Sequence, residues 1–162
     1  MAFTSPIVIG TASTNGAHAA DLGKVFWNGG KAYRVVKAAN AVAAAAGKVL
    51  VTALSSGEPT YVVDTTTTAN STLVAGVVPQ GQVGSTGTTG LIAGDYFVVQ
   101  VSGPTKALSA ATIAINGLVG SSTTAGKIDD DSVTAGVGAI GTALEAASAA
   151  DQTIDINLKG LI

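Results

Sequence analysis

Three aspartates stand side by side in GKIDDDSVTAG, at Asp129, Asp130 and Asp131, the one place where this chain concentrates charge. Grouped carboxylates suggest two kinds of chemistry: a hard cation held by oxygen ligands, or acid–base work by a carboxylate pair. A calcium loop of the EF-hand kind spaces its ligands at alternate positions, then needs a glycine and a distant glutamate. Here the aspartates are consecutive and no glutamate follows before Glu145. Because successive side chains of an extended chain point to opposite sides, three in a row do not converge on one ion. The run reads as a solvated turn, flanked by Lys127 and Ser132, whose aspartates bond local backbone donors. No metal site is expected.

The remaining acidic residues include Glu58, Asp64, Glu145, Asp151 and Asp155, and spacing alone leaves open that two of them meet across a cleft. Sugar-cleaving sites also present aromatic platforms, and the only rings are those of Phe3, Phe26, Trp27, Tyr33, Tyr61, Tyr96 and Phe97. His18 is the single histidine, so a histidine triad or a histidine-rich metal centre is excluded by counting, and it reads as a surface or interface residue. Cysteine is absent, which removes disulfides, thiolate ligands and thiol nucleophiles. The glycines of GQVGSTGTTG lack the Lys-Ser/Thr ending of a phosphate-binding loop, and no convincing helix follows them. No catalytic residue and no cofactor site is assigned. The expectation is a protein that is not an enzyme.

What holds such residues in place is a polar, weakly charged frame. The 162 residues fit one domain. Hydrophobic residues make up 47%, many of them alanine, and aromatics only 4%, so the core is expected to be thin. Charged residues are 11%, against roughly 25% in an average soluble domain. With a net charge of -2 and eight scattered Lys and Arg, no basic footprint for nucleic acid exists. The opening MAFTSPIVIG places no cation before an apolar run, and no stretch approaches the roughly 20 apolar residues of a membrane span. Neither a signal peptide nor a membrane partner is expected.

Short runs rich in Val and Ile, separated by Gly, Ser, Thr, Asn and Pro, predict strands. The candidates are Pro6–Gly10, Lys24–Asn28, Ala32–Ala38, Lys48–Leu54, Thr60–Asp64, Leu73–Pro79, Asp95–Val101, Asn116–Gly120, Gly138–Glu145 and Gln152–Leu158. In the last, Thr153, Asp155 and Asn157 alternate with Ile154, Ile156 and Leu158, which puts the aliphatic set inward. The Asn-Gly pair in KVFWNGGKAYRVV predicts a tight primed turn and hence a hairpin. AANAVAAAAG, from Ala38 to Gly47, has high helix propensity, with Asn40 as a cap and Gly47 as a terminator, and predicts one short helix. The fold class expected is mainly β, a small β-barrel or β-sandwich. Residues 24–162 form a single β-rich domain, and residues 1–23 are an N-terminal arm or a first strand.

The order of four segments carries a resemblance: AGVVPQG (75–81), AGDYFVVQVSGPTKAL (93–108), LVGSSTTAGKIDD (118–130) and GAIGTALEAASAADQTIDINLKGLI (138–162). It resembles that of the small β-rich capsid decoration, or cement, proteins of tailed bacteriophages, strongest over the last third. The resemblance implies a non-enzymatic structural virion protein, made in the host cytoplasm, that sits on the outer capsid surface and bridges subunits of the major capsid protein. It also implies a homo-oligomer, a trimer by family likeness. Small Ala, Gly and Ser side chains suit such a role, because surfaces approach closely at low side-chain entropy cost. Candidate contacts are Phe3, Pro6 and Ile7, which could add as an extended strand to a neighbour, and Phe26 with Trp27, since aromatics are enriched at interfaces. Ordinary core packing is an equally good reading for Phe26 and Trp27. The rival from another class is a carbohydrate-binding or adhesive β-module, which would expose Trp27, Tyr33 or Tyr61 as a flat platform.

Overall fold

Two consecutive glycines close the first hairpin, and their backbone shows why. Strand β1 (Val25–Asn28) pairs antiparallel with β2 (Lys31–Ala38), with Asn28 opposite Lys31. The two-residue loop is therefore Gly29–Gly30, with φ of 58° and 78°, the double positive φ that a type I′ turn demands. The expected hairpin forms, one residue later than the Asn-Gly pair suggested. The computed structural model describes residues 8–14, 16–55, 58–130 and 137–161.

Eight further strands follow: β3 (Val49–Ser55), β4 (Glu58–Asp64), β5 (Val74–Val77), β6 (Tyr96–Leu108), β7 (Leu118–Ser121), β8 (Ile128–Asp129), β9 (Ala139–Ala143) and β10 (Thr153–Lys159). They make one mixed ten-stranded sheet in the order β1-β2-β4-β3-β5-β6-β10-β9-β7-β8, with β2 also paired to β6. That extra pairing closes β2, β4, β3, β5 and β6 into a five-stranded barrel. All these ladders are antiparallel except β2–β4, where Lys37 and Ala38 lie parallel to Val62 and Val63. The fold is mainly β, as the strand pattern predicts.

Strand β6 is long enough to serve both halves of the sheet. From Tyr96 to Ser102 it pairs with β2, and from Ser102 to Leu108 with β10. At the handover Gly103 takes φ 88°, and a Cβ there would lie 3.1 Å from the Gly30 carbonyl oxygen. The buried Gln100 side chain donates from Nε2 to the carbonyls of Ser102 (3.1 Å) and Pro104 (2.9 Å), which holds the bend from one side.

Period-two alternation assigns the cores. Inside the barrel, Ala32, Val36 and Ala38 of β2 meet Phe97, Val99 and Val101 of β6, together with Leu50, Val63, Ala75 and Val78. The second core is built from Ile154, Ile156 and Leu158 of β10 against Ile113, Val119, Ile128 and Ile140, with Thr153 and Asn157 exposed as the sequence pattern predicts. A third, smaller cluster lies on the other face of β2 and β6, where Tyr33, Val35 and Val98 are covered by Ile9 and Phe26. No side chain larger than leucine or isoleucine is needed to fill the second core, so the interior is thin.

The helix expected from Ala38 to Gly47 does not form. Val42 exchanges both backbone hydrogen bonds with Leu91, and Ala45 N donates to Thr89 O, so this backbone is committed to a neighbouring loop. Asn40 donates its amide to Asp64 instead of capping, and Ala44 takes φ 42°. Propensity without an amphipathic stripe loses to tertiary pairing. The one helical element among the described residues is a 3-10 turn at Gly16–Asp21. The strand expected at Pro6–Gly10 falls partly outside the described residues. Within them, Val8–Thr11 is a turn with Thr11 N donating to Val8 O and Gly10 at φ 87°.

Gly103→Ala should lower stability by about 1–3 kcal/mol, chiefly from left-handed strain, with a tight contact to the Gly30 carbonyl added. Gly29→Asn, at a left-handed position where a Cβ meets nothing within 4 Å, should stay within about 0.5 kcal/mol of wild type. Urea denaturation of the two variants checks the contrast.

Candidate interaction surface

Alternation along a four-residue strand splits the two aromatic candidates. Phe26 turns inward and stacks on Tyr33, with ring centroids 5.6 Å apart and an interplanar angle of 25°. Trp27 turns outward and is 64% exposed. Phe26 thus belongs to the small cluster under β1, while Trp27 is free to touch a partner. The candidates Phe3, Pro6 and Ile7 lie outside the described residues.

β1 is also a terminal strand of the sheet. Val35 N donates to Lys24 O, so the phase of the hairpin ladder turns the N–H and C=O of Val25 and Trp27 away from β2. Among the described residues these groups have no hydrogen-bond partner. The opposite end of the sheet is covered: Ala110 N donates to Ile128 O, and Ala114 N donates to Asp130 Oδ2 at 2.9 Å. An edge with unpaired backbone groups is a template for an added strand.

The acidic residues are occupied by structural work. Asp130 bonds Ala114 as above, and Asp130 N donates to Asp129 Oδ1 at 2.8 Å, the local backbone bonding expected of a turn, with Asp129 itself in β8. Asp131 lies outside the described residues. Asp95, fully buried, accepts from Ser85 N, Ser85 Oγ and Ile92 N, which fixes the GSTGTTG loop. Asp21 pairs with Lys24, Asp151 with Lys127, and Asp155 with Lys106. Glu145 accepts from Asp155 N at 3.3 Å. His18 is buried against Tyr96, with ring centroids 6.2 Å apart, and is not the surface residue its sequence neighbourhood suggested. Among the described residues no three His, Cys, Asp or Glu side chains gather as a metal site.

The three rings of the carbohydrate reading do not share a surface. Tyr33 is only 7% exposed, and half-buried Tyr61 is covered by the Arg34 guanidinium, 5.5 Å from its ring centre. The Tyr61 ring also occupies the space a Cβ on Gly23 would need. Trp27 stands alone.

A cleft of about 400 Å³ opens where the barrel meets the second half of the sheet. Tyr33 and Gln100 line it together with Ile9, Pro79 and Pro104, and Lys31, Lys106 and Asp155 contribute the charges. Burial removes water from the Tyr33 phenol and pushes its pKa above the ordinary value. Sequence reasoning did not single out this cleft. Lys31 and Tyr33, two apart on one strand, share a face, and that spacing was the available signal. The convergence of Lys106 and Asp155 depends on the β6–β10 register, which spacing does not reveal.

These features define a mainly β protein built on a small barrel, with a sheet edge at β1 that is unpaired among the described residues and an adjoining cleft. No family model matches the sequence, and no curated protein matches it. Among solved structures the fold is similar to the head fibre gp8.5 N base of bacteriophage phi29, with a TM-score of 0.54 at 12% identity, over 78% of this chain and 92% of that one. At that identity the likeness is one of fold.

A phenol whose pKa is raised on folding keeps its proton after the unfolded chain has lost it, so its contribution to stability is present below pH ~10 and falls as pH rises toward the folded value. Tyr33→Phe should therefore flatten the alkaline loss of stability by up to about 1.4 kcal/mol per pH unit above pH ~10. Denaturant titrations between neutral and strongly alkaline pH measure this difference. Identical alkaline limbs would contradict a desolvated phenol.

Proposed function

We propose that this chain is a non-enzymatic structural virion protein of a tailed bacteriophage. In this reading it binds the outer surface of the capsid and stabilises the shell by bridging major capsid protein subunits. It acts as a homo-oligomer, a trimer, after synthesis in the host cytoplasm. The observation that carries the reading is the shared fold with the N base of a phage head fibre. The order of sequence segments supports it independently, since it resembles that of capsid decoration proteins.

The surface is consistent with attachment by shape. Stable recognition tends to bury about 1,200–2,000 Å², and a surface with few charges loses little to desolvation on contact. Trp27 beside the open edge of β1 is the candidate anchor, an exposed aromatic next to backbone groups that can pair with an added strand. Phe3, Pro6 and Ile7 are proposed as a reaching segment at the start of the chain. Residues 24–162 are proposed as the one β-rich domain, with residues 1–23 as its arm or first strand.

Purified protein should co-sediment at micromolar concentration with capsids that lack it, and failure to do so would count against capsid attachment. Trp27→Ala should weaken that co-sedimentation by about tenfold or more while leaving thermal stability unchanged. Sedimentation equilibrium of the free protein should return three chain masses.

A further inference from the structure

The cleft between the barrel and the second half of the sheet combines features that nothing in the fold requires together. Tyr33 lines it, and although the residue as a whole is only 7% exposed, its hydroxyl is not among the buried unpartnered atoms and faces the open cleft. A phenolic O–H that faces a cleft is a donor available to an acceptor placed there. Lys31, on the same face of β2 two residues earlier, has no ion-pair partner among the described residues, and its stem passes Gly103, where a Cβ would lie 3.5 Å from Lys31 Cγ. Lys106 is already paired with Asp155 at 3.0 Å, so two lysines face one aspartate and the cleft keeps a positive excess on a protein of net charge -2.

We propose that this cleft recognises a carboxylate, and that its occupant is an acidic side chain flanked by apolar residues on an extended segment of a partner polypeptide. The carboxylate accepts from the Tyr33 hydroxyl and the Lys31 ammonium, charge-assisted bonds that are short and strong. Ile9, Pro79 and Pro104 give the apolar walls against which neighbouring side chains rest. At about 400 Å³ the space is larger than a lone carboxylate fills and lies in the range of sites that enclose a larger ligand. Continuity points to a polypeptide: Lys31 and Tyr33 are register partners of Asn28 and Phe26, so the cleft adjoins the hairpin that carries Trp27 and the open edge. The cleft is defined by its own chemistry, and the proposal does not depend on the virion reading.

The test uses the full chain, isotope-labelled, titrated by NMR with the peptide acetyl-Ala-Val-Glu-Val-Ala-amide and with its Gln twin. The Glu peptide should shift resonances of Lys31, Tyr33, Gln80 and Gln100 saturably, and bind on the order of tenfold more tightly than the Gln twin. Lys31→Met should erase that preference, whereas Lys159→Met, outside the cleft, should preserve it. Equal binding of the two peptides, or shifts confined to other parts of the molecule, would overturn the proposal. Sodium acetate binding as tightly as the Glu peptide would overturn the polypeptide occupant in favour of a site for free carboxylates. Because the peptide comparison is made on the unmodified protein, the result stands even where a variant folds poorly.

Discussion

The bend in β6 is the constraint on which the rest of the molecule depends. One strand must leave the barrel and enter the second half of the sheet without losing its ladder on either side. Gly103 makes that geometry accessible, since its φ of 88° is a region L side chains rarely adopt and a Cβ would press tightly, at 3.1 Å, on the Gly30 carbonyl oxygen. Gln100 then fixes the bend by bonding two carbonyls that straddle it. The bulge in the β2–β6 register, between Ala32 and Tyr33, falls beside the same point. Barrel closure, the second core and the cleft all inherit their positions from it.

Small residues make this construction workable. With aromatics scarce, two modest cores replace one large one, and strands must approach closely to bury enough surface. Gly141 shows the closeness required: a Cβ there would lie 2.3 Å from the Asn157 carbonyl oxygen of the neighbouring strand. Gly76 meets Gln100 O at 2.6 Å in the same sense, between β5 and β6. Aromatic bulk is spent in a few places instead. Phe97 fills the barrel, and the Phe26–Tyr33 stack covers its outer face.

How much of this could be read from the sequence differed by kind of signal. Strands with short-range alternation were legible, and Gln152–Leu158 is the clearest, because Ile154, Ile156 and Leu158 need only a period of two to find the core. β8 was not, since Ile128–Asp129 is two residues long and exists only through pairing with β7 and the loop at Ala110. The run from Ala38 to Gly47 misled because alanine propensity is local, whereas the bonds of Val42 to Leu91 are not. The same division applies to the surface. Trp27 was a candidate from its residue type, but its separation from Phe26 and the opening of the β1 edge follow from sheet order, and sheet order follows from long-range register.

Placement of the charges argues that the interacting surface lies on the barrel side of the bend. Most described acidic side chains are held by a lysine or a backbone donor, and Lys24, Lys106 and Lys127 are used in the same way. Lys37 lies over the Tyr96 ring at 5.4 Å. Once these are set aside, Lys31 stands out as a cation that shares a cleft with the Tyr33 phenol, on the strand that pairs with the edge strand β1. The same hairpin then offers three modes of contact within a few residues: backbone pairing at Val25 and Trp27, apolar burial at the Trp27 ring, and charge recognition at Lys31.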